Sequence, residues 1–330
     1  MIAHADAHLR KQDRQLSQER MVDIPASLRQ QERKSYALAS LLRNSCTHLT
    51  VLRQQVQQRV KTRGETNAMG LGARNNERSE LGRSAERWIQ KAHPRYESLK
   101  HREALLDGYK KGITTLAGLI AHGRGEAFDY LLEERTNSFA RDAIRAAATL
   151  LLSAKSPVIS VNGNTAVLCP KEIVRLAKLC NAKLEINLFY RSQTRVKKIE
   201  RVLLKYGAGK VYGVAPDREI KGMASDRRLA DSQGIYSSDV VLIALEDGDR
   251  TEALVREGKK VIAIDLNPLS RTAQKASITI VDNVVRAIPE LIKNVKELKK
   301  QNKSKFEEIL ENFDNQGNLK TALDFIKEKV

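Results

Sequence analysis

Four short stretches bring together residue types that can handle anions. Residues 246–251 read EDGDRT, three carboxylates (Glu246, Asp247, Asp249) with a glycine and an arginine among them. Such oxygen ligands suit Mg²⁺, which binds through one or two carboxylates plus the phosphates of a substrate. Residues 265–267 read DLN and could hold a nucleoside hydroxyl or base edge. Residues 162–164 read NGN, where Gly163 lets backbone approach a ligand while Asn162 and Asn164 offer amide donors and acceptors. In GLIAHGRGEAFDY (118–130), His122 and Arg124 sit among glycines. Read as a turn before a helix starting near Glu126, this gives an anion site at a helix N-terminus, with a bidentate guanidinium and a switchable imidazole. Plainer readings stand beside these. Asp249 and Thr251 can cap a helix, Asp265 and Asn267 can form an Asx turn, and Gly-Arg-Gly can be punctuation. Tyr190-Arg191 is a phosphate site or a surface turn, and His93 is a substrate contact or a structural histidine.

The elements that must position these groups are legible as six apolar runs: 157–161, 183–190, 210–214, 239–245, 259–265 and 278–281. Runs that are apolar throughout fit strands buried on both faces of a parallel sheet. Helical patterns at 170–181, 193–207, 249–258 and 284–300 alternate with them. Pro170 opens one helix, and Gly207 and Gly258 close two others. The expected fold is α/β, a Rossmann-like doubly wound sheet preceded by helices at 96–113, 124–133 and 140–154. Ligands of such sheets lie beyond the C-terminal strand ends, where strand order reverses. With the common strand order, NGN at the first tip and EDGDRT at the fourth flank that crevice, and DLN lies at the fifth.

Other chemistries lack their motifs. The first βα turn, SVNGNTAVLCP, departs from GxGxxG, and no GxxxxGK[ST] or GxSxG occurs. A dehydrogenase is disfavoured on that ground. The six histidines show no metal-ligand spacing. The three cysteines (Cys46, Cys169, Cys180) form neither a disulfide framework nor a CxxC site and fit a reducing cytoplasm. No segment approaches the roughly 20 apolar residues of a membrane helix, and no secretory signal is visible.

Across 330 residues the formal charge is +18, with 41% hydrophobic and 5% aromatic residues. Such a charge suits a nucleic-acid partner or anionic small molecules. Without aromatic interleaving or a nucleic-acid motif, the second is expected. Residues 1–86 are rich in Arg and Gln and carry one leucine-rich helical pattern near 38–60. They are expected to form a flexible extension, foreign to the mature protein, with Met69 as an alternative start. The rest divides into a helical lead-in (87–154), a sheet core (155–300) and two C-terminal helices (301–330) around an NQG turn. The rival reading is a non-catalytic Rossmann-like nucleotide-binding protein with an RNA-binding basic tail.

HPRYESL (93–99), GLIAHGRGEAFDYLLEERT (118–136), PVISVNGN (157–164), KLEINLFYR (183–191), LEDGDRTEALVREGKKVIAIDLNPLSRTA (245–273) and ITIVDNVVRAIP (278–289) recur in this order in a known family. Over residues 93–330 the chain resembles the archaeal phosphopantothenate synthetases, the 4-phosphopantoate–β-alanine ligases; residues 1–86 have no counterpart. The resemblance implies a cytoplasmic Rossmann-like homodimer used in coenzyme A synthesis. Its reaction joins 4-phosphopantoate to β-alanine through an acyl adenylate, releasing AMP and pyrophosphate. It also implies ATP contacts at Arg102, Arg124, Asp265, Leu266, Asn267, Arg271, Thr272, Asn283 and Val284. Substrate contacts are expected at Asn162, Asn164, Arg191 and Glu246, and Mg²⁺ at Asp247 or Asp249. Asp247, Asp249 and His122 are the catalytic candidates, with Glu246 and His122 the candidates for the base that frees the amine.

Overall fold

The computed structural model describes residues 90–302 and 304–329. The flexible or foreign extension and the RNA-binding tail expected at 1–86 lie outside them. Three helices lead in: α1 (Tyr96–Lys110), α2 (Leu116–Leu131) and α3 (Ser138–Ser153). There follow β1 (Pro157–Val161), the short α4 (Gly163–Leu168), α5 (Pro170–Cys180), β2 (Lys183–Ile186), α6 (Gln193–Lys205) and β3 (Val211–Tyr212). A small hairpin, β4 (Arg218–Glu219) and β5 (Leu229–Ala230), interrupts the alternation. It resumes with β6 (Val240–Ala244), α7 (Gly248–Arg256), β7 (Lys260–Ile264), α8 (Arg271–Lys275), β8 (Ile278–Ile280) and α9 (Val284–Leu298). The chain closes with α10 (Ser304–Glu311) and α11 (Asn315–Lys327).

Six parallel strands form one sheet in the order β3-β2-β1-β6-β7-β8. These are the six apolar runs, and the order reverses between β1 and β6, as expected of a doubly wound sheet. The strands read as largely apolar runs because both faces are covered. Along β6, Val240, Leu242 and Ala244 pack into one core, and Val241 and Ile243 into another. The first core holds Ala147 and Leu151 of α3, Ile173 of α5 and Leu291 of α9. The second holds Ala253 and Leu254 of α7 with Ile220 and Ile235 of the hairpin region.

Two local expectations are corrected. Residues 122–125 lie inside α2, which starts at Leu116 and not near Glu126. Thr115 supplies the cap, its hydroxyl accepting from the Gly118 amide at 3.2 Å. Gly118 lets the helix come close to its neighbour, Gly125 meets its own at ordinary contact distance, and Gly123 faces open space. A Cβ on Gly118 would lie 2.6 Å from Asn164 Oδ1, and one on Gly125 3.4 Å from Leu266 Cδ1. NQG (315–317) is not a turn either, since Asp314 accepts from the Gln316 and Gly317 amides and starts α11 there. That helix covers the β8 edge. Asn315 Oδ1 accepts from the Thr279 amide at 2.7 Å, and Leu319, Ala322 and Ile326 pack on Phe139 and Val281.

Candidate active site

The tips of β1, β6 and β7 open on a cavity of about 560 Å³, roofed by α2. The size is that of a site for one or two small molecules. The roof is stitched at three places. Asn164 Nδ2 donates to Gly118 O (2.8 Å), Arg102 Nε donates to Glu126 (2.8 Å), and Asn283 Nδ2 donates to Asp129 (2.8 Å). Arg95 also reaches Glu126 and Glu134, and its guanidinium stacks over Tyr130.

The floor is built by side chains that hold each other. Asn162 caps α4, accepting from the Thr165 amide, while its Nδ2 donates to Ala244 O at 2.7 Å and so fastens the β1 tip to the β6 tip. Leu245 follows in a left-handed conformation, φ 54°. Glu246 then turns inward, its carboxylate almost fully buried, to pair with Arg227 and Arg250. Arg250 is wholly buried and donates to Ser160 Oγ at 3.1 Å. Asp247 pairs with Arg227 Nε at 2.7 Å yet keeps 41% of its side chain exposed to the cavity. Burial raises its pKa, and Arg227 only partly offsets that.

Opposite, on the β7 side, Asp265 accepts from the Asn267 amide and from Ser270 Oγ. Burial raises its pKa, and these hydrogen bonds and Arg124 pull the other way. Asn267 Oδ1 accepts from the Leu269 amide, so the expected Asx turn and a cavity-lining position coincide here. Thr272 Oγ1 donates to Glu246 O at 3.0 Å, joining the two sides. Arg271 lines the cavity with 58% of its side chain exposed, 3.6 Å from Glu252 and 4.0 Å from Asp249. This side pairs exposed cations with acids around an open space, an arrangement that can take up a polyphosphate.

The sequence over 139–329 matches the family model described as phosphopantothenate/pantothenate synthetase. A relative from Thermococcus onnurineus, named 4-phosphopantoate–β-alanine ligase, is 53% identical over 243 residues, 73% of this chain and 93% of its own length. Relatives of the same name from Thermococcus kodakarensis and Methanosarcina mazei are 52% and 51% identical, over 73% and 72% of this chain and 93% and 94% of their own. The chain belongs to the phosphopantothenate/pantothenate synthetase family.

Of the residues expected to act in this family member, the main cavity gathers Arg124, Asn162, Asn164, Glu246, Asp247, Asp265, Leu266, Asn267, Arg271 and Thr272. Six others stand apart. His122, Asn283 and Val284 line a separate space of about 10 Å³, with Gly125, Leu245 and Leu266 forming the wall common to both. Arg102 is engaged by Glu126, and Arg191 donates to Gly213 O at 2.7 Å, holding the β3 end. Asp249 lies in the first turn of α7, outside the lining. As candidate bases, Glu246 is tied to two guanidiniums, and His122, its pKa lowered chiefly by burial, does not face the cavity.

Among the described residues no group of three or more His, Cys, Asp or Glu is placed to hold a metal. Arg227 and Arg195 line the cavity and carry no motif. Arg227 sits in ASDRRLA, whose place is fixed by Asn187 Nδ2 donating to Arg227 O and Leu229 O, both at 3.1 Å. Only the arginine pair at 227–228 hints at it in sequence.

Proposed function

We propose that the chain is an ATP-dependent 4-phosphopantoate–β-alanine ligase that makes 4-phosphopantothenate for coenzyme A. One observation carries this reading. A cavity at the reversal point gathers Arg124, Arg271, Asp247 and the 265–267 strand tip, in a chain about half identical to ligases of that name. A carboxylate does not accept an amine until one of its oxygens can leave. The phosphopantoate carboxylate therefore attacks the ATP α-phosphorus, expelling pyrophosphate and forming the acyl adenylate. The β-alanine amine, having given up a proton, attacks the acyl carbon and AMP departs.

The protein's part is orientation and neutralisation of charge. Arg124 and Arg271 face the polyphosphate, and Asp265 to Asn267 hold the nucleoside. Of the rest of the set implied by the resemblance, Asn283 and Val284 lie behind the wall made by Leu245 and Leu266, and Arg102 is held by Glu126. Mg²⁺ would be held by Asp247, whose carboxylate pairs with Arg227 yet stays partly open to the cavity, with Asp249 acting on it. It would supply charge neutralisation on ATP.

A homodimer is part of the same proposal. Leu116, Ile120 and Tyr130 stand on α2 at helical spacing, 60%, 73% and 48% exposed, and a second copy would cover them. Light scattering on the full chain tests this, and a monomer mass counts against it. Buried free thiols at Cys169 and Cys180 agree with a reducing cytoplasm. No described helix is long and apolar enough to cross a membrane.

The test of the reaction is AMP release by the full chain with ATP, Mg²⁺, 4-phosphopantoate and β-alanine, leaving out each in turn. AMP that requires both acceptors supports the ligase. AMP without β-alanine or without the acid removes it.

A further inference from the structure

Arg195 of α6 lies on the cavity wall away from β7. Its Nε donates to Ile113 O at 2.7 Å and its Nη1 to Tyr190 O at 2.8 Å. Its Nη2 lies over Gly163, where a Cβ would come within 2.5 Å of it. Two carbonyls satisfy hydrogen bonds but bring no negative charge. Burial, with Arg227 adding to it, lowers the Arg195 pKa to about 10, and among the described residues no acid opposes the shift. The other arginines shifted by their surroundings all have acids acting on them: Arg191 has Asp226 and Glu185, Arg250 has Glu246 and Glu185, and Arg286 has Asp129 and Asp282. A half-buried cation without a counter-charge is costly to keep, and a bound anion removes that cost.

The surroundings say which anion. Among the described residues, three of the five guanidinium N–H groups have no partner. A phosphate monoester offers three oxygens and close to two negative charges, more than a carboxylate brings. Leu188, buried, and Phe189, 42% exposed, form an apolar surface beside it. Of the residues expected to hold ATP, those lining the cavity stand on the opposite, β7 wall (Asp265 to Asn267, Arg271 and Thr272) or on the roof (Arg124), so a second anion site is separate from the triphosphate.

We propose that Arg195 is the receptor for the phosphate monoester of the acid substrate. The branched carbon chain of the substrate lies against Leu188 and Phe189. Its carboxylate points into the crevice between β1 and β6, where ATP is activated. Arg195 is then the residue by which the enzyme tells a phosphorylated hydroxy acid from the unphosphorylated one. The proposal rests on the ligase reading.

The test is calorimetric binding of 4-phosphopantoate, of pantoate and of β-alanine to the full chain and to Arg195→Gln and Arg195→Lys. Wild type is expected to prefer the phosphorylated acid by roughly 30-fold or more. Arg195→Gln should bind both acids alike with β-alanine binding unchanged, and Arg195→Lys should keep part of the preference. A wild-type preference surviving in Arg195→Gln overturns the proposal, as does a selective loss of β-alanine binding. Wild type that binds none of the three removes the ligase reading itself, and the proposal with it. On the unaltered protein, phenylglyoxal labelling mapped by mass spectrometry gives an independent answer. Protection of Arg195 by 4-phosphopantoate and not by pantoate supports the assignment; equal protection overturns it.

Discussion

The two walls of the crevice hold their arginines in opposite ways. On the β7 wall Arg271 is exposed and stands near Glu252 and Asp249, while Arg124 acts on Asp265. On the β1–β2 wall Arg195 is half-buried and, among the described residues, bound only to carbonyls with no acid acting on it. Between them, Arg227 in the floor and Arg250 beneath it are locked onto Glu246. Exposed, compensated cations contribute little to folding and can exchange their partners for phosphate. A half-buried, uncompensated cation is a standing demand for a particular anion. The floor arginines do neither; they hold the acidic strand tip in place.

That contrast can be broken from below first. Arg250→Met leaves Glu246 buried with one guanidinium in place of two, and should lower stability by about 4 kcal/mol in urea unfolding. A loss under about 1 kcal/mol would mean that the floor is not what sets the β6 tip.

Next in size is Glu185, fully buried in β2, whose carboxylate accepts from the Asp231 and Ile235 amides. Burial raises its pKa from 4.5 to about 7. The folded chain therefore holds this proton more tightly than the unfolded one. The stability it provides is complete below about pH 4.5 and is lost as pH rises towards 7, by about 3 kcal/mol. Glu185→Gln should remove that slope. Asp247, Asp265 and Asp282 shift in the same direction, so the difference between variant and wild type across that window is the quantity to read. Parallel curves would show that Glu185 does not titrate there.

The smallest effect on folding belongs to the β7 wall. Arg271→Ala should change stability by less than about 0.5 kcal/mol. It should raise the KM for ATP about tenfold, near 1.4 kcal/mol of binding. A variant with unaltered KM would remove Arg271 from the nucleotide site.

Most of the sheet was legible because its physics is local. Strands covered on both faces are apolar at most positions, with Ser160, Glu185 and Thr279 as buried polar exceptions, and the polar tips at 162–164, 246–251 and 265–267 interrupt those runs at once. The roof was not legible. The glycines at 123 and 125 carry turn propensity, yet the helix capped at Thr115 runs through them, and only Gly118, tight against Asn164, has a packing reason to be glycine. Arg195 was hidden for another reason. In QTRVKKIER it is one basic residue among several, and what distinguishes it, the lack of an acid, depends on neighbours from residues 113 and 190. Arg227 likewise depends on Asn187, forty residues away in sequence.

Leu245 has a consequence for how far this protein could be stabilised. A left-handed conformation costs a residue with a side chain about 1 kcal/mol or more, and here it falls where β6 stops and its acids begin. Because the chain reverses hand at that residue, Glu246 faces inward and Asp247 faces the cavity. Selection for thermal tolerance alone would favour relaxing this joint, and relaxing it would swing the two carboxylates out of their places. That increment of stability is therefore withheld at one peptide unit, where β6 ends and the acids of the cavity begin.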